Sequence, residues 1–161
     1  MKVSFYVLTE NKAQDFLGFI CQLTQTALNK SSQSLLILIE KNDELLSTLD
    51  EAFGHKTIRA LYRINAFILI LKAPILTVFI TDINNQLLAP VLLASYMPAD
   101  FKGIVLNTTI RPVNNFINAT SNTLPTRILE LIKPDTVSTE AGRAKYKHYQ
   151  QLGYELTHFK V

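Results

Sequence analysis

Arg143, Lys145 and Lys147 are interleaved with Tyr146 and Tyr149 in the stretch from Glu140 to Leu156, a grouping of cations and aromatic rings suited to recognition chemistry. On a helix Arg143 and Lys147 are i, i+4 neighbours, with Thr139 one turn earlier and Tyr146 three residues beyond Arg143, so the two charges share one stripe. Such a stripe can cradle an acidic peptide. Arginine grips a carboxylate with two parallel hydrogen bonds, lysine adds a mobile charge, and a neighbouring ring receives an apolar anchor. The same spacing also fits a solvated helix face, with Tyr146 and Tyr149 closing the core.

Other reactive residue types are present without the spacing that chemistry needs. His55, His148 and His158 form no recognised ligand pair, and Cys21 is the only cysteine, so neither a disulfide nor a multi-thiolate metal site can be built. Asp43 with Glu44 and Asp50 with Glu51 are adjacent pairs, whose helical positions point in different directions and do not readily share a proton. There is no Gly-x-Ser-x-Gly elbow. The turn after the first apolar run, Thr9 to Ala13, has no glycine, which a backbone cradle for pyrophosphate requires. No catalytic residue, metal or cofactor is therefore expected.

The elements that must position the basic stretch follow from periodicity. Val3 to Thr9 reads as a strand and Asn11 to Asn29 as a helix, with Phe16, Ile20, Leu23 and Ala27 along one face. Ser34 to Glu40 is a short apolar strand, and Asn42 caps a helix running through Phe53 to Gly54. Ile75 to Thr81 and Val91 to Ala94 read as two further buried strands. After the apolar run Arg127 to Lys133, Pro134 and Asp135 open a helix that Gly153 stops near Leu152, and Tyr154 to Lys160 returns as a last strand. Apolar runs separated by helices predict an α/β fold, a single Rossmann-like three-layer domain over residues 1–161 with a mainly parallel sheet and helices on both faces. Residues 107–125, rich in Asn and Thr, read as a surface insertion.

Composition narrows the function classes. The net charge of +3 is too mild for a protein that grips a nucleic-acid backbone by itself. The N-terminus enters strand-like sequence directly, without the apolar run of a signal peptide, which implies the cytoplasm. Ile64 to Ile80 approaches the length of a membrane span, but Lys72 and Pro74 interrupt it and its β-branched residues suit a buried strand better, so no membrane association is expected.

At this point the sequence resembles the chi subunit of bacterial DNA polymerase III, an accessory protein of the clamp-loader assembly. Arg143-Ala144-Lys145-Tyr146-Lys147-His148-Tyr149, then Gly153-Tyr154-Glu155-Leu156-Thr157-His158, is similar to that family's terminal basic helix, glycine stop and final strand. Val3-Ser4-Phe5-Tyr6-Val7-Leu8 resembles its opening strand, and Leu49-Asp50-Glu51-Ala52-Phe53 the end of its second helix. Ala73-Pro74-Ile75, and Val91-Leu92-Leu93 followed by Pro98 and Phe101, extend the likeness over most of the chain. The Pro-His pair usual after the second helix is not seen at Tyr62-Arg63-Ile64-Asn65.

The resemblance implies a non-catalytic adaptor without cofactor, linking the clamp loader, through the psi subunit, to the acidic C-terminal tail of single-stranded-DNA-binding protein. It implies Arg143 as the main carboxylate clamp, Lys147 as a second cation, Tyr146 as a wall and Lys145 as an added charge. Phe53, Leu61 and Tyr62 correspond to the psi side, and nucleic acid is reached mainly indirectly. Two other readings compete. A small nucleotide- or phosphate-using α/β enzyme predicts stabilisation by a nucleotide, and a weak direct nucleic-acid binder predicts a shallow salt dependence on bare single strands.

Overall fold

A computed structural model describes residues 1–40, 66–69, 76–80, 91–99, 101–117 and 123–161, of which 66–69 and 76–80 are described as backbone only. The chain opens with β1 (Lys2–Val7), α1 (Glu10–Gln14), α2 (Phe16–Lys30) and β2 (Leu35–Leu38). It continues through β3 (Ala66–Leu69), β4 (Leu76–Ile80), β5 (Val91–Ala94), β6 (Ile104–Asn107) and a 3₁₀ turn at Val113–Phe116. It closes with β7 (Arg127–Ile132), α3 (Thr136–Gln151) and β8 (Glu155–Lys160). The helix expected over Asn42 to Phe53, and with it Phe53, Leu61 and Tyr62, lies outside the described residues.

The strands form one sheet in the order β3-β4-β5-β2-β6-β7-β1-β8. The six strands from β5 to β8 in that order pair in parallel, while β4 runs antiparallel to both β5 and β3. The apolar run expected as one strand from Ile75 sits in β4, and the preceding run contributes β3. Among the described residues no helix is long and apolar enough to cross a membrane.

Strand alternation sorts the core into two layers. Leu35, Leu106, Leu129 and Leu131 pack with Phe19, Ile20, Leu23 and Leu28 of α2 on one face. Val3, Phe5, Leu36, Leu38, Val105, Ile128 and Ile132 pack with Tyr149 of α3 on the other. Each such side chain, fully buried, stabilises the fold by about 1.5–3 kcal/mol relative to exposure, which is why near-continuous apolar strands end up covered on both faces. The result is the three-layer α/β architecture that the apolar runs predict.

Two local features depart from the expected elements. The first helix is broken at Asp15, whose backbone leaves the helical region (φ −106°, ψ 54°) so that its carboxylate can accept the Gly18 N–H at 3.2 Å and cap α2. Gly18 makes room for that cap, since a Cβ there would lie 2.3 Å from Asp15 Oδ2. Within the segment expected as a surface insertion, residues 107–113 are anchored in the fold, while 118–122 lie outside the described residues. Asn107 ends β6, and Asn107, Thr109 and Val113 are buried, because their polar groups are satisfied internally.

Candidate functional site

The basic stretch becomes α3, and its start is set by Asp135. That carboxylate accepts the Ser138 N–H at 2.8 Å, while the Thr139 hydroxyl donates to the Asp135 carbonyl at 2.8 Å. The bond from Ser138 holds the Asp135 carboxyl below its ordinary pKa. Gly142 lets the helix lie against β7, since a Cβ there would sit 2.8 Å from Ile132 Cδ1. The helix stops at Gly153, at φ 72°, where Gly153 N–H donates to Gln150 and Tyr154 N–H to Tyr149. β8 then adds to β1 in parallel, with Val3 opposite Leu156.

Three residues of α3 are buried, Gly142, Lys145 and Tyr149, and they sit at i, i+3 and i+7. Arg143, Tyr146 and Lys147 lie on the outward side, and Tyr146 keeps 40 % of its surface exposed. Its inner edge meets Phe5 of β1, with ring centroids 5.5 Å apart. Among the described residues neither Arg143 nor Lys147 is held in an ion pair. Two exposed cations one turn apart therefore share a stripe, with a partly supported aromatic ring beside Arg143.

Lys145 takes a different place from the one the resemblance implies, and adds no charge to that outward stripe. With 2 % of its surface exposed, it reaches inward to Glu130 Oε2 at 2.6 Å and donates to the Thr109 carbonyl at 2.8 Å. Glu130 has no exposed surface and sits mid-strand in β7. Its other donors are the Tyr149 hydroxyl, at 2.6 Å from Oε1, and the Asn107 amide, at 2.9 and 3.0 Å from the two oxygens. Burial pushes the Glu130 carboxyl above its ordinary pKa, with Lys145, Tyr149 and Asn107 opposing that rise. Burial and the adjacent Glu130 likewise raise the Tyr149 phenol, which is thus a donor to Glu130 and an acceptor of the Val113 N–H at 2.8 Å.

The network also organises the loop after β6. Asn107 donates to the Arg111 carbonyl at 2.8 Å and accepts from the Thr109 backbone and hydroxyl at 3.0 and 2.8 Å. Arg111 reaches Glu40, after β2, through two hydrogen bonds of 3.2 and 2.8 Å. Glu130, Asn107 and Thr109 thus fix where α3 lies on the sheet. Sequence reasoning passed over Glu130, although an acid inside the apolar run Ile128 to Ile132 signals a buried partner.

A small cavity of about 140 Å³ borders Lys145, Thr109 and Ser138, below the roughly 300–1,000 Å³ of ordinary ligand pockets. The Lys145 ammonium is already engaged by two acceptors. Burial, and secondarily Asp15, raise the Cys21 thiol above its ordinary pKa, which disfavours the reactive thiolate. Among the described residues no group of three His, Cys, Asp or Glu side chains could hold a metal ion. His158 is exposed on β8 and His148 half-buried on α3, on different elements, while His55 lies outside the described residues. Neither a scan against protein-family models nor a search of curated proteins finds a match to this chain.

Proposed function

We propose that this chain is a non-catalytic adaptor of the bacterial replication machinery, acting in the cytoplasm, that captures the acidic, aromatic-ended C-terminal tail of single-stranded-DNA-binding protein on the outward face of α3. The observation that carries this reading is the stripe of exposed Arg143 and Lys147 with Tyr146 beside it, on a helix whose opposite face is held by the Glu130–Lys145 pair. Among the described residues Arg143 has no ion pair to be broken before it accepts a carboxylate, and a ring seated on Phe5 gives the tail's apolar end a firm wall. The resemblance of the terminal helix and final strand to the chi family supplies the identity of the tail. It also supplies the second connection, through psi to the clamp loader.

The test is binding of a labelled acidic peptide ending in Asp-Ile-Pro-Phe, followed by fluorescence anisotropy. Binding should weaken as salt rises, because the contacting charges are exposed and screened. Arg143→Ala should cost about 2 kcal/mol, close to thirty-fold in Kd. Equal affinity in wild type and Arg143→Ala would remove Arg143 from the site.

A further inference from the structure

On the opposite face of the sheet from α3, a cavity of about 440 Å³ opens between α2 and the end of β8. That volume lies within the range of small-molecule pockets. Its apolar wall is made by Leu23 and Ala27 of α2, Leu129 of β7, and the rings of Tyr6 and Phe159, which stack with centroids 5.1 Å apart and planes 21° apart. Phe159 keeps 39 % of its surface exposed, so the stack presents one ring to whatever enters. Among the described residues the charged ones lining the cavity are Lys2, Lys30 and Arg127, and none is acidic.

These three cations are not equivalent. Lys2 shares its charge with exposed Glu155 at 3.5 Å. Lys30 sits in the last turn of α2, where it offsets the partial negative charge of the helix end. Arg127 has no carboxylate partner among the described residues, and its one hydrogen bond goes to the buried Ser4 hydroxyl, at 2.9 Å across the sheet. The Ser4 bond pins the guanidinium over the cavity while leaving its other N–H donors free.

We infer that this cavity is a binding site for a small organic anion with a flat or branched apolar body and a single carboxylate, the carboxylate meeting Arg127 and the body lying against Phe159 and Leu129. One carboxylate fits better than a polyphosphate, because the C-terminal end of α2 disfavours additional negative charge, Lys2 is paired with Glu155, and Arg127 is the one of the three whose forked donors match a carboxylate. The cavity runs along the α2 face of the sheet, from Lys2, Ile104 and Arg127 at the starts of their strands to Tyr6 and Phe159 near the ends of β1 and β8. It is separate from the Arg143 stripe, so the two readings stand or fall independently.

The experiment titrates the full chain with 2-naphthoate and, in parallel, with the neutral 2-naphthalenemethanol, following side-chain and amide NMR shifts. Naphthoate should saturate one site, shift Tyr6, Leu23 and Phe159, and bind about ten-fold tighter than the alcohol, the worth of one charge-assisted contact. Arg127→Gln, which keeps a donor for Ser4, should erase that preference, whereas Arg143→Ala should leave it intact. No saturable shift at these residues, equal binding of acid and alcohol, an unchanged preference in Arg127→Gln, or its loss in Arg143→Ala would each overturn the inference.

Discussion

Replacing Lys145 by Met keeps an unbranched apolar stem of similar reach and removes only the ammonium. Glu130, without exposed surface, then loses its counter-charge at 2.6 Å, and the Thr109 carbonyl loses its donor at 2.8 Å. The Tyr149 hydroxyl and Asn107 amide remain, but neither carries charge. Breaking a buried pair from one side costs about 3–5 kcal/mol, a large part of the roughly 5–15 kcal/mol that holds a domain folded. Glu130 responds by binding a proton, and its carboxyl, already raised by burial, rises further. A folded-state pKa above the unfolded value of about 4.3 means that the folded chain binds protons more tightly. The penalty of Lys145→Met relative to wild type is therefore smallest in acid and grows as pH rises from the wild-type folded value of Glu130 to the variant's higher one. Urea unfolding followed by circular dichroism should show a smaller loss at pH about 5 than at pH about 7.5. Adding Glu130→Gln should recover much of the loss, because no uncompensated charge is left buried. A single-variant cost below about 1 kcal/mol, or a double variant that merely sums the two singles, would refute the reasoning.

Tyr149→Phe should destabilise by about 1–3 kcal/mol, since it strands the buried Val113 N–H and strips a donor from Glu130 Oε1; the same unfolding measurement reads it. Asp135→Ala should cost about 1 kcal/mol at neutral pH through loss of the cap of α3. The folded Asp135 carboxyl titrates below its ordinary value, so its contribution is present above the unfolded pKa and lost as pH falls through the folded one. The gap between wild type and Asp135→Ala should accordingly narrow in acid, as stability measured at stepped pH would show.

The elements that carried strong periodicity or end signals were legible in the sequence. β1, α2 and β8 follow from their apolar spacing, and the limits of α3 from Asp135 and Gly153, because caps and stops act within one turn. β6 was missed because it is only four residues long and ends in Asn107, whose burial depends on Glu130, distant in sequence. The break at Asp15 was missed because helical spacing runs on across it, while the cap depends on a backbone turn and on the space left by Gly18. Lys145 joins Arg143 and Lys147 only through the resemblance, as an added charge. Its position four residues before Tyr149 and three after Gly142 puts it on the inner stripe, and the acid inside β7 is the partner that makes such burial tolerable. Local sequence records faces and ends, whereas a buried polar network is a property of segments that meet only in the fold.

In the proposed site Arg143 touches the acidic tail directly, and a charge swap probes that contact itself. Arg143→Glu should weaken the acidic peptide at least about thirty-fold, and a peptide with lysine in place of its aspartates should bind Arg143→Glu more tightly than it binds wild type. Retained affinity of Arg143→Glu for the acidic peptide, or no preference of the lysine peptide for the variant, would take the tail off α3.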